Sequence, residues 1–114
     1  MDVPGQNIEL RGWVRLPLNL HPKLASVLAN AKIKLSEIQR LVIPLIATSC
    51  DIVAISTLGM GVTNACVYGI LNTLCLDASP QPGLEAMILL PTRELAAQVY
   101  HAINSLQPAH GLLL

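Results

Sequence analysis

Three short stretches of the chain carry residue types suited to phosphate or nucleotide chemistry, and each also admits a plainer reading. Pro91-Thr92-Arg93-Glu94-Leu95-Ala96-Ala97-Gln98 follows an apolar run and opens a helical pattern. A strand ending at a helix N-terminus offers unpaired N–H groups and the positive end of the helix dipole to a phosphate. Thr92 adds a hydroxyl and Arg93 a fixed charge for the same purpose. A well-capped helix would also place Thr92 as N-cap and Glu94 in the first turn. Ser36-Glu37-Ile38-Gln39 has the capping-box form, in which Ser36 accepts from the Gln39 N–H and Gln39 reaches back. A glutamine amide can equally offer a paired donor and acceptor to a ligand. Between these two stretches, Gly59 and Gly61 lie in Ser56-Thr57-Leu58-Gly59-Met60-Gly61-Val62-Thr63, where the backbone can turn and approach a phosphate closely.

The elements that must hold these residues follow from periodicity and punctuation. Pro22 suits a helix first turn, and Leu20, Leu24, Val27, Leu28 and Ala31 form one apolar stripe at helical spacing. The helix opened by Ser36 turns Ile38, Leu41, Val42, Leu45 and Ile46 inward, and Pro44 within it predicts a kink or an early end. Residues 52–55 form a short apolar, β-branched run of the kind found in a central parallel strand covered on both faces. The glycine turn follows, then a mostly buried helix from Val62 to Leu76 with Ala65, Cys66, Ile70, Leu71 and Leu74 inside. Residues 77–83 are a loop by composition. Residues 86–90 make a second buried strand stopped by Pro91, and the helix capped by Thr92 carries Leu95, Val99, Ile103 and Leu106 to an end near Pro108. The order α-α-β-α-β-α predicts an α/β fold with a parallel sheet.

Composition bounds the possibilities. With 114 residues the chain suits one small domain, and 53% hydrophobic against 12% charged excludes disorder. Seven Lys and Arg balance seven Asp and Glu, so no global field draws nucleic acid or a membrane, and phosphate recognition must be local. With no Phe, one Trp and two Tyr, stacking of single-stranded bases has little to work with. Lys32, Lys34 and Arg40 fit a solvated face better than an RNA patch. Cys50, Cys66 and Cys75 form no C-x-x-C pair, and residues 1–14 hold no signal-peptide pattern, which suits reduced thiols in a cytosolic protein. His21, His101 and His110 have no metal-ligand spacing. Residues 52–76 lack Asp, Glu, Lys and Arg, enough length to span a bilayer. Six hydroxyl and amide residues, three glycines and acidic flanks at Asp51 and Asp77 argue instead for a buried strand, a turn and a buried helix.

In three places, in order, the residues resemble the DEAD-box RNA helicases. Pro91 to Gln98 matches that family's P-T-R-E-L-A-x-Q motif without a mismatch, directly after the second expected strand. The resemblance implies that Pro91, Thr92 and Arg93 hold the RNA sugar-phosphate backbone without reading bases. Leu35-Ser36-Glu37-Ile38-Gln39 is similar to the family's P-[ST]-x-I-Q element, with Leu35 in place of proline. There Gln39 would contact the adenine of ATP, and Trp13 is the candidate for the family's upstream aromatic. Ser56 to Thr63 occupies the position of A-x-T-G-x-G-K-T, the phosphate loop, with Asp51 at the strand entry. Gly59, Gly61 and Thr63 are kept, and Thr63 would be the Mg²⁺ ligand when nucleotide binds. Val62 stands in place of the lysine and Leu58 in place of the first threonine.

The resemblance implies a partial RecA-like parallel sheet flanked by helices, an incomplete P-loop NTPase domain. Residues 1–12 are expected to be a loose N-terminal segment, 13–107 the front of a first RecA-like domain, and 108–114 a tail. No D-E-A-D string occurs, so the chain reads as a fragment or short isoform of an ATP-dependent RNA helicase. It has no catalytic residue of its own and its hold on ATP and Mg²⁺ is weak or lost. The expected partners are the RNA backbone and a second RecA-like domain, with no membrane. The degenerate phosphate loop beside an intact P-T-R-E-L-A also resembles the helicase-like region of Tudor-domain germline proteins. That likeness implies small-RNA (piRNA) transposon silencing, germline pathway partners, and a cytoplasmic or germ-granule location. The alternative to a helicase is an inactive RNA-binding scaffold, with a membrane span at 52–76 a distant third.

Overall fold

The computed structural model of the chain describes residues 16–49, 51–56, 61–77 and 83–106. Four helices follow in order: α1 (Pro22–Asn30), α2 (Glu37–Ile46), α3 (Val62–Leu76) and α4 (Arg93–Ser105). Each begins where a local signal places it. Pro22 occupies the first turn of α1, and the His21 ring accepts from the Lys23 N–H at 3.1 Å. α1 ends with Ile33 N–H donating to the Leu28 carbonyl and Lys32 N–H to that of Ala29, Lys32 itself being left-handed at φ 57°. This is the Schellman closure with a lysine where glycine is usual. The capping box of α2 is complete, with Ser36 N–H donating to Gln39 Oε1 at 2.8 Å and Gln39 N–H to Ser36 Oγ at 3.4 Å. Pro44 is buried inside α2, which stops two residues later at Ile46. Pro44 leaves the Arg40 carbonyl without its helical partner, and the helix closes with Thr48 N–H donating to the Leu45 carbonyl and Ser49 N–H to that of Ile46.

α3 is the hub and packs on α1, α2 and α4, most extensively on α2. Ala65, Val67, Tyr68, Gly69, Leu71 and Asn72 are buried around its circumference, as befits a helix enclosed by others. Gly69 lets α2 come close, because a Cβ there would run into the Ile46 side chain. The core joins Leu24 and Leu28 of α1, Ile43 of α2, Val67, Tyr68 and Leu71 of α3, and Val99 and Leu106 about α4. The inward face of α2 is turned slightly from the expected stripe. Val42, Ile43 and Pro44 are its buried apolar residues, whereas Ile38, Leu41, Leu45 and Ile46 are half-buried.

The expected parallel sheet is not seen in the structure: among the described residues there is no strand. Residues 52–55 and 87–90 nevertheless keep a period of two in their burial. Ile52, Ala54, Ile88 and Leu90 are half-buried, and the last two pack against the core. Between them Val53, Ile55 and Leu89 are 89%, 87% and 85% exposed. Such alternation marks a strand-like segment covered on one face only. A β-ladder exists only when a neighbour supplies the opposite hydrogen-bonding groups, so one covered face without a paired edge gives the pattern but not the strand. Among the described residues no helix is long and apolar enough to cross a membrane.

Candidate nucleotide and RNA-backbone site

α2 and α3 bring together two of the expected nucleotide-site residues. Gln39 lies in the first turn of α2, only 6% exposed. Its Oε1 is held by the Ser36 N–H, and its Nε2 donates to the Gly61 carbonyl at 3.3 Å across 22 residues of sequence. The capping box and the contact to the loop are thus one arrangement, since the first bond orients the amide that makes the second. These bonds use one lone pair and one N–H of the amide, leaving one of each for a planar donor–acceptor edge.

Gly61 opens α3 in the left-handed region at φ 76°, and its carbonyl also accepts from the Ala65 N–H at 2.9 Å. A Cβ at this position would lie 2.5 Å from Gln39 Nε2. Glycine is therefore required both by the backbone angle and by the approach of α2. Val62 and Thr63 follow in the first turn, both half-buried, and Asn64 is exposed. At this helix N-terminus Val62 contributes no charge that would hold a phosphate. For Mg²⁺ that turn offers two side-chain oxygens, the Thr63 hydroxyl and the Asn64 amide carbonyl. No group of three or more His, Cys, Asp and Glu gathers among the described residues. Trp13, Leu58, Gly59 and Met60 lie outside the described residues.

The expected RNA-backbone residues stand at the N-terminus of α4. Thr92 is the N-cap, and its Oγ1 accepts from the Leu95 N–H at 3.1 Å. Pro91, Thr92, Arg93 and Glu94 are all exposed, so the first turn is open to a ligand. Helix capping and accessibility coexist here, because the Thr92 hydroxyl accepts from Leu95 and can still donate its own proton. Lys32, Lys34 and Arg40 are exposed on other elements, which suits the solvated face expected of them.

One polar residue of the fold had no signal in the sequence. Asn72 is buried in α3 and bonds the backbone ahead of α1 at His21 and Asn19. An asparagine with only main-chain partners leaves no pattern to find.

The DEAD/DEAH box helicase family model matches residues 36–113. The ATP-dependent RNA helicase dbp9 of Aspergillus niger is 39% identical over 92 residues, which cover 77% of this chain and 15% of that protein. The dbp9 of Aspergillus terreus is 40% identical over a stretch of the same length and coverage. The mitochondrial ATP-dependent RNA helicase MSS116 of Eremothecium gossypii is 33% identical over 81 residues, covering 70% of this chain and 12% of its own length. The chain therefore spans about 15% of the length of the dbp9 relatives it matches. No solved structure matches it. The narrower likeness to Tudor-domain germline proteins gains no support from these relatives. The motifs at Gln39, Gly61 and Pro91–Gln98, in that order and within the matched span, have one explanation in common: the chain belongs to the DEAD/DEAH box helicase family.

Proposed function

We propose that this chain supplies the nucleotide-facing and RNA-backbone-facing front of the first RecA-like domain of an ATP-dependent RNA helicase. It binds ATP weakly and does not turn it over by itself. The observation that supports the reading is the Gln39 amide bonded to Gly61, which puts an amide donor and acceptor beside the turn that opens α3. The names of the relatives, all ATP-dependent RNA helicases, support the same class. When bound, ATP with Mg²⁺ supplies the phosphoryl chemistry of the parent enzyme. The residues here orient it: Gln39 at the base, Gly61 in the turn, and Thr63 towards the metal. Val62 gives the β- and γ-phosphates no countercharge, and the second RecA-like domain of the parent is the partner that completes the site. Pro91, Thr92 and Arg93 hold an RNA backbone at a separate helix start.

A charge-assisted hydrogen bond is worth ~1.5–3 kcal/mol, so Val62 in the lysine position leaves an affinity of about millimolar or poorer. Calorimetric titration of Mg-ATP into the full chain tests this. Val62→Lys is expected to tighten binding roughly tenfold or more. Micromolar affinity of the unsubstituted chain would overturn the weak-binding reading, and no gain from the lysine would show that the loop no longer presents it to phosphate.

A further inference from the structure

Asn72 is buried to 1% exposure in an otherwise apolar stretch of α3, where an amide is costly unless every polar group is paired. Both ends are paired, and both reach the same distant segment. The His21 N–H donates to Asn72 Oδ1 at 2.7 Å, and Asn72 Nδ2 donates to the Asn19 carbonyl at 2.9 Å, across 51 and 53 residues of sequence. A carboxamide bonded to an N–H and to a C=O two residues apart copies what a neighbouring strand would offer. It fixes the path of the backbone without regard to the side chains there. The same His21 caps α1 through its ring, so one buried side chain governs both the entry to α1 and the arm before it.

We infer that Asn72 is a positioning residue that docks the backbone of residues 19–21 on α3, the helix opened by Gly61. Asn72 stands ten residues along α3 from Val62, so the docking is made well away from the Gly61 turn and does not depend on the nucleotide reading above.

Trp13 is the single tryptophan, so its emission and its quenching by acrylamide report on the arm alone. Asn72→Leu keeps the volume and removes both bonds. In the full chain it is expected to leave the far-ultraviolet helix signal in place, to raise exchange of the His21 amide at least tenfold, and to increase Trp13 quenching. His21 has φ −60° and ψ 135°, which proline adopts, so His21→Pro removes the N–H donor with little change of path. His21→Ala removes the same ring but keeps the donor. Quenching is expected to rise in His21→Pro and not in His21→Ala, and Asn72→Leu combined with His21→Pro should add nothing to either alone. General loosening would give additive effects instead. Unchanged His21 exchange in Asn72→Leu, or equal quenching in His21→Pro and His21→Ala, overturns the inference. If Asn72→Leu does not fold, the two His21 variants decide the matter in a chain whose core is untouched. No readout uses a ligand, so a chain that fails to bind ATP refutes the nucleotide reading and leaves this test intact.

Discussion

Gln39 and Gly61 are each held in place by the other. The amide is aimed by Ser36, and the glycine accommodates it because a side chain at 61 would collide with it. Their spacing in the motifs made the pair legible in the sequence, but the bond between them was not, since it needs the approach of two helices. Asn72 was illegible for the opposite reason: its partners are main chain, which no residue type announces. At α4 the capping role of Thr92 was legible, and exposure adds that its turn is accessible. Phosphate contacts set affinity without carrying base information. Arg93→Ala should therefore weaken binding several-fold for single strands of any composition, and should lower the salt dependence by about one ion. Fluorescence polarisation with oligouridine and a mixed-sequence strand checks this, and a loss confined to one of them would contradict backbone-only contact.

The α2–α3 packing depends on Gly69, against which Ile46 lies. Gly69→Ala gains helix propensity of roughly 1 kcal/mol, while overpacking costs ~1–3 kcal/mol. The atom met most closely is Ile46 Cδ1, but Cβ and Cγ1 also stand at 3.3 Å, so the side chain cannot escape by rotating its tip alone. A net loss of about 1 kcal/mol is expected by chemical denaturation. Ile46→Val deletes the offending methyl and should restore most of it in the double variant. Failure of that rescue would locate the strain elsewhere. The helices were legible because their signals are local: Pro22, the Ser36 box, Gly61 and Thr92 each mark a start within one turn of where it falls. The strands were not, because unbroken apolar runs at residues 52–55 and 86–90 do not say which face is covered or whether an edge is paired.

At the scale of the molecule, the uncovered face matters most. Val53, Ile55, Leu84, Met87 and Leu89 are between 67% and 89% exposed, in a chain with only 12% charged residues. Apolar strand-like segments without neighbours are templates for association. Sedimentation velocity is expected to show concentration-dependent self-association of the chain, reduced by Val53→Lys with Leu89→Lys. A monodisperse monomer over the same concentrations would show that these segments are covered in solution. The predominance of the α2–α3 interface has a consequence in time. These helices are consecutive in sequence, and contacts between sequence neighbours close cheaply and form in microseconds, whereas strand pairing over long separations is slow. Gln39 is therefore expected to meet Gly61 early in folding, before the apolar segments settle.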